Sequence, residues 1–237
     1  MKRFIGALVL LALMGGAQAT EVRVDFGFFD SAKEQGDKFV QALPKGTELS
    51  RLTLGSKPLE LGSSWQVLHS GYYLDTVDEV GSPISGRGVA TAYLYLGKFN
   101  AERLDEFMRL DVSLYRRVRT EYLTNILPVC QKSEDYVYQD ILEARNQRMS
   151  CLAVRVGSPA LETKRSDIYS AVENAYGDML FQAHSQGSTK LYITELYETR
   201  SSNLFRLYRV MPAEGRALPQ LSDELVRMRS SLQSTFF

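Results

Sequence analysis

The chain has 237 residues, 44% of them hydrophobic and 24% charged, a composition that excludes wholesale disorder. Its 28 basic residues are balanced by 28 acidic ones, which excludes a strongly basic nucleic-acid binder. Two cysteines are too few for a disulfide-rich miniprotein or a four-cysteine zinc site.

The first segment reads as an export address. Lys2 and Arg3 precede an apolar run over residues 4–14, Gly15 and Gly16 break it, and Ala17-Gln18-Ala19 supplies a small-x-small cleavage pattern. Eleven helical residues rise only about 16 Å, roughly half of the ~30 Å hydrocarbon core, so the run suits a signal peptide better than an anchor. No twin arginine is present and no cysteine follows Ala19, so neither folded export nor a lipid anchor has support. The expected product is residues 20–237, bacterial and periplasmic, with secretion as the alternative. No later stretch is long and apolar enough to span a bilayer as a helix.

Residues 22–29 alternate, with Val22, Val24, Phe26 and Phe28 on one face of an expected strand. Ser31 and Glu34 fit a capping box for a short helix that runs to Leu43 and is stopped by Pro44-Lys45-Gly46. Residues 47–97 read as strands: Leu49, Leu52 and Leu54 before Gly55, then 65–68 and 72–74 about a turn at Ser70-Gly71. Residues 75–88, rich in glycine and acids, read as a loop. Residues 88–96 are apolar on both faces, as in a central strand.

From Asn100 the spacing of Leu104, Phe107, Leu114, Val118, Tyr122 and Ile126 predicts a long helix ended by Pro128, with Asp111 interrupting the stripe. Residues 136–156 read as a hairpin turning near Asn146, with a helix over 134–145 as its rival. A helix is expected over 166–183. Residues 190–211 form the clearest hairpin, and Leu221, Leu225, Met228, Leu232 and Phe236 mark a final amphipathic helix. The expected fold class is α+β, a mostly antiparallel sheet with helices packed against it. A single domain over 20–237 is the favoured division, with two strand-then-helix halves, about 20–128 and 129–237, as the alternative. The similarity of residues 105–110 to 223–228 is too short to favour a duplication. The terminal Phe236-Phe237 echoes an outer-membrane barrel strand, but helical spacing fits that segment better.

Cys130 and Cys151 carry the most specific expectation. In an oxidising compartment they pair, closing a loop worth about 3 kcal/mol in the chain-entropy model. His69 and His184 are each followed by a serine, yet no G-x-S-x-G elbow, S-x-x-K start or H-E-x-x-H motif accompanies them. Asp75, Asp78 and Glu79 do not follow EF-hand spacing. Gly81, Gly86 and Gly88 match no nucleotide-binding fingerprint, and no cofactor is implied. The carboxylate pairs Asp105-Glu106 and Asp223-Glu224 are expected in first helical turns, complementing the helix dipole. Arg116, Arg117 and Arg119 form a small basic cluster, and Tyr72-Tyr73, Tyr93 with Tyr95, and Tyr136 with Tyr138 offer aromatic rings on expected strands. The binding candidates are therefore Tyr72, Tyr73, Asp75, Asp78, Arg116 and Arg117.

These readings favour a non-enzymatic binding or envelope-associated module with a protein or small-molecule partner. The rival is a hydrolase of an envelope component whose site is assembled only in three dimensions. Intact-mass analysis of the periplasmic protein is expected to show a chain beginning at Thr20; a product that retains Met1 would remove the export address.

Overall fold

The computed structural model describes residues 20–75, 89–114, 127–145, 148–157, 190–200 and 203–236. The expected signal peptide, the 76–88 loop, the 115–126 part of the long helix and the 166–183 helix lie outside these residues. So do Asp78, Arg116, Arg117, Arg119 and His184.

In chain order the strands are β1 (Glu21–Val24), β2 (Glu48–Leu54), β3 (Lys57–Asp75), β4 (Val89–Asn100), β5 (Arg103–Ser113), β6 (Tyr138–Arg145), β7 (Arg148–Gly157), β8 (Leu191–Arg200) and β9 (Asn203–Pro212). Among the described residues two helices accompany them, α1 (Ala32–Ala42) and α2 (Leu218–Phe236). The nine described strands make one sheet in the order β1-β2-β3-β4-β5-β9-β8-β7-β6. Among these strand pairs only β1–β2 is parallel, and α1 bridges it. A β2–β5 meander and a β6–β9 meander meet where β5 pairs with β9. This is a mostly antiparallel sheet with helices, the expected class.

The largest core lies between the helices and one sheet face. It gathers Phe39 and Leu43 from the α1 end, Leu221, Leu225 and Leu232 from α2, and Trp65, Leu94, Leu96, Met108, Phe205 and Leu207 from the sheet. The other face carries two smaller cores, one around Tyr95, Phe107, Ile193 and Tyr208, the other around Cys130, Met149, Cys151 and Tyr197. In β4, Leu94 and Leu96 belong to the first core and Tyr95 to the opposite face, all buried, as a central strand requires.

The capping box forms: the Ser31 backbone N–H donates to Glu34 Oε2 at 2.7 Å, and the Glu34 N–H donates to Ser31 Oγ at 3.2 Å. Two hydrogen bonds to β3 add to the apolar packing of α1. Ser70 Oγ donates to the Leu43 carbonyl at 2.8 Å, and Tyr72 Oη donates to Asp37 Oδ1 at 2.7 Å. Cys130, in a short 3-10 turn (Pro128–Cys130), is bonded to Cys151 on β7 across a sequence separation of 21. Gln139 on β6 donates to the carbonyls of Val129 and Gln131, at 3.0 and 2.7 Å, and ties that turn to the edge strand. The expected hairpin over 136–156, that over 190–211 and the final helix are all present.

Three expectations fail. The helix from Asn100 is not formed over its first half, because Arg103–Ser113 is strand β5, paired residue by residue with β4 and β9. Glu106, Met108, Leu110 and Val112 all lie buried, a period of two that hydrogen bonding on both sides enforces. Ser70-Gly71 makes no turn, because β3 runs through it and Gly71 pairs with Tyr93. The glycine is there for space: a Cβ at Gly71 would fall 2.8 Å from Tyr93 Cε2 and nearer still to Cζ and Oη. Finally, β1 stops at Val24, and Phe28 and Phe29 are 73% and 92% exposed.

Gly71→Ala is therefore expected to lower stability by about 1–3 kcal/mol, the usual penalty of overpacking. In a Tyr93→Ala background the same change should cost much less. Urea unfolding of the four proteins tests this, and equal costs in both backgrounds would clear the Tyr93 ring of blame.

Candidate functional site

The site begins with a buried carboxylate. Glu106 sits on β5 with its side chain 4% exposed, and three cations surround it. Arg209 from β9 donates through Nε and Nη2 to Glu106 Oε2 at 3.2 and 2.7 Å. Lys98 from β4 reaches both carboxylate oxygens at 3.3 Å. Arg216, between β9 and α2, bonds Oε1 through Nη2. The third nitrogen of Arg209, Nη1, donates to Glu224 Oε1 on α2 at 3.0 Å. The register explains the convergence: Lys98 pairs with Glu106 across β4–β5, and Met108 pairs with Arg209 across β5–β9.

Trp65 lies under these cations and is almost completely buried. Lys98 Nζ stands 4.4 Å and Arg209 Cζ 5.2 Å from its ring centroid, within cation–π range. The indole N–H is satisfied by the Leu61 carbonyl at 3.3 Å. Burial alone would raise the Glu106 pKa, but the charges and hydrogen bonds of Arg209, with Lys98 and Arg216 behind them, outweigh it and hold the carboxyl below its usual range. Burial presses the Lys98 ammonium down, against the pull of Glu106.

Above this floor opens a cleft of about 570 Å³ between α2 and the sheet. One wall is β3, with Leu59, Glu60, Gly62 and Ser63. The other is α2, with Glu224, Arg227, Met228 and Ser231. The β3 wall departs from regular pairing, since Arg51 pairs with Glu60 while Leu49 already pairs with Trp65. The extra residues between Glu60 and Trp65 bulge out of the ladder, and Gly62 there takes the left-handed conformation, at φ +74°.

A second polar cluster lies further along α2. Glu198 on β8 is buried; Ser150 Oγ on β7 donates to it at 2.6 Å, and Gln233 Nε2 reaches both its oxygens at 3.3 Å. Burial pushes the Glu198 pKa up, against those hydrogen bonds. Between the clusters the buried Arg229 donates to the carboxylate and carbonyl of Asp140 on β6. Glu224, Arg229 and Gln233 thus tether α2 at three levels.

The residues singled out by sequence do not assemble into this site. Tyr72, on β3, is spent on docking α1: it packs against Gly36, where an added Cβ would lie 2.7 Å from Tyr72 Cδ1. Tyr73 is 41% exposed and lies on the opposite sheet face, its ring 6.5 Å from that of Tyr93. Tyr93, His69, Tyr95 and Phe107 continue that row. Asp75 ends β3, opposite Val89. The His69 imidazole makes ring contacts with Tyr93 and Tyr95, 5.8 and 5.9 Å away. Among the described residues, no group of three or more histidine, cysteine, aspartate or glutamate side chains is placed to hold a metal ion. No described helix is long and apolar enough to cross a membrane.

Glu106 and Glu224 correct the expectation for their pairs. Glu106 is not in a helical first turn but in a strand, and Glu224 comes after the first turn of α2. The signal that could have found Glu106 is its place in the series 106, 108, 110, 112 with three apolar residues, which puts a carboxylate on the core face.

Among the described residues, fold and site together define a class: a nine-stranded, mostly antiparallel sheet with two helices packed on it and a cationic cleft beneath the C-terminal one. No protein-family model, no curated protein and no solved structure matches the chain.

The two buried glutamates give opposite pH signatures. The folded pKa of Glu106 lies below its ordinary 4.5, so its contribution is fully present above that value and is lost as pH falls through the folded pKa. Glu106→Gln should cost about 3–5 kcal/mol at neutral pH, because the cations keep no counter-charge, with a smaller deficit in acid. The folded pKa of Glu198 lies above 4.5, so its ionisation opposes folding as pH rises past that value. Glu198→Gln should melt at or above the parent temperature at neutral pH, and the gap should close below pH 4.5. Melting curves across pH decide both; a Glu198→Gln protein less stable at neutral pH would contradict the assignment.

Proposed function

We propose that this chain is an exported, non-enzymatic binding module of the bacterial envelope that holds a small ligand in the cleft between α2 and the sheet. The observation that carries this reading is the cleft itself. Its volume, about 570 Å³, falls in the range of small-molecule sites. Its floor is preorganised, because Glu106, Lys98 and Arg209 are already locked together by charge and hydrogen bonds.

The chemistry of the floor supports binding over hydrolysis. A general acid or base needs a pKa near the working pH, whereas Glu106 is held ionised by three cations. Glu198 is pushed the other way, but both its oxygens are engaged. The N-terminal address supports export, and the Cys130–Cys151 bond is of the kind that persists in oxidising compartments.

A thermal-shift screen of the processed protein against soluble metabolites and envelope fragments tests the reading. A true ligand at a hundredfold excess over its Kd should add about 2.7 kcal/mol of stability. Ser231→Phe, which fills the cleft from the exposed side of α2, should abolish that gain. A ligand whose effect survives Ser231→Phe, or a screen without a single shift, would overturn the assignment of this cleft.

A further inference from the structure

From the charge balance of this cleft we infer that its ligand is a small organic oxydianion of the phosphate-monoester class; the inference rests on the binding reading above. Four cations belong to the cleft and its floor: Lys98, Arg209, Arg216 and Arg227. Two carboxylates, Glu106 and Glu224, are paired with them. The other lining acid, Glu60, is bound to Arg51 outside the cleft. The cleft therefore keeps an excess of two positive charges.

That excess lies where a ligand can reach it. Arg209 is buried and its three nitrogens are used on Glu106 and Glu224. Arg216 is one-third exposed and spends one nitrogen, Nη2, on Glu106. Arg227 is exposed, and its side chain has no ion pair or hydrogen bond among the described residues. Two guanidinium groups facing one opening recognise planar or tetrahedral oxyanions, and fork geometry favours phosphate and carboxylate over halide. A tetrahedral dianion satisfies both charges at a single point.

The body of the ligand follows from size and lining. About 570 Å³ is far more than a phosphate group fills, and Leu59 and Met228 supply apolar wall beside the arginines. The complement is a phosphate carried on a partly apolar organic group. Free phosphomonoesters and phospholipid headgroups share this chemistry.

Isothermal titration of the processed protein with phenyl phosphate, phenyl sulfate and phenol tests the inference, with vesicles containing phosphatidic acid as a further arm. Phenyl phosphate should bind with a one-to-one endpoint, more tightly than the monoanionic sulfate, and phenol should not bind. Trp65, the chain's single tryptophan, lies against Lys98 and Arg209, and its emission should change with the same midpoint. Arg227→Gln removes no ion pair or hydrogen bond among the described residues and should weaken phenyl phosphate about tenfold, the scale of one charge-assisted hydrogen bond. Lys132→Gln, on the surface, should not. Binding to the soluble ester alone supports a free metabolite; co-sedimentation with phosphatidic acid vesicles, lost in Arg227→Gln, supports a headgroup. Phenol binding as tightly as phenyl phosphate, or indifference to Arg227→Gln, overturns the anion assignment. If the thermal screen meanwhile yields a neutral or cationic ligand sensitive to Ser231→Phe, the cleft stands and only the ligand class falls.

Discussion

A carboxylate that is buried must be paired, and Glu106 makes this rule the organiser of one end of the molecule. An ionised carboxylate in a low-dielectric setting is costly unless opposite charges and hydrogen-bond donors surround it. Glu106 sits near the middle of the sheet, so its partners have to come from adjacent strands and from the helix side. Lys98 on β4, Arg209 on β9 and Arg216 before α2 meet that need. The β5–β9 pairing, where the two meanders join, is thereby fixed by charge as well as by the ladder. Arg209 carries the constraint outward, because its remaining nitrogen holds Glu224 and with it the first half of α2.

α2 rests on apolar contacts of Leu221, Leu225 and Leu232, but apolar contact alone does not fix where a helix lies along a sheet. Polar tethers do, because each has a narrow range of distance and angle. Glu224 meets β9, Arg229 meets β6, and Gln233 meets β7 and β8. The helix crosses the second meander with one tether at each level. Glu198 is the weak member, since its carboxyl is buried with hydroxyl and amide donors where Glu106 has three cations. The sheet therefore carries one buried carboxylate that favours ionisation, on β5, and one that resists it, on β8.

The sequence made much of the sheet legible, because alternation over 88–96 and 190–211 and the capping box at Ser31 are local signals. The Cys130–Cys151 bond was legible from compartment logic and count. The segment after Asn100 misled because its residues satisfy two periods at once. Leu104, Phe107 and Leu114 suit a helix, whereas Met108, Leu110 and Val112 suit a strand, and β4 and β9 on either side decide between them. Glu106 looked like a dipole-complementing acid only under the helical reading. The site stayed hidden for a related reason: Lys98, Glu106, Arg209 and Arg216 are spread over more than a hundred residues, and only the strand order brings them together.

The charges of the cleft divide between architecture and recognition. Lys98 and Arg209 stack on Trp65 and hold Glu106, so altering them disturbs the fold and the ligand site together. Among the described residues Arg227 lies in no such network, and Arg216 belongs to it through one nitrogen. A site built entirely from free cations would repel itself before a ligand arrived. A fully neutralised one would attract no anion. Placing Glu106 beneath the cluster lowers the self-repulsion of the floor and leaves the unspent positive charge at the rim. On the proposed reading, an incoming oxydianion meets donors there without displacing an internal carboxylate. Fold stability and ligand affinity are then separable quantities in one cluster, the first set by Glu106 and Arg209, the second by Arg227, with Arg216 shared between them.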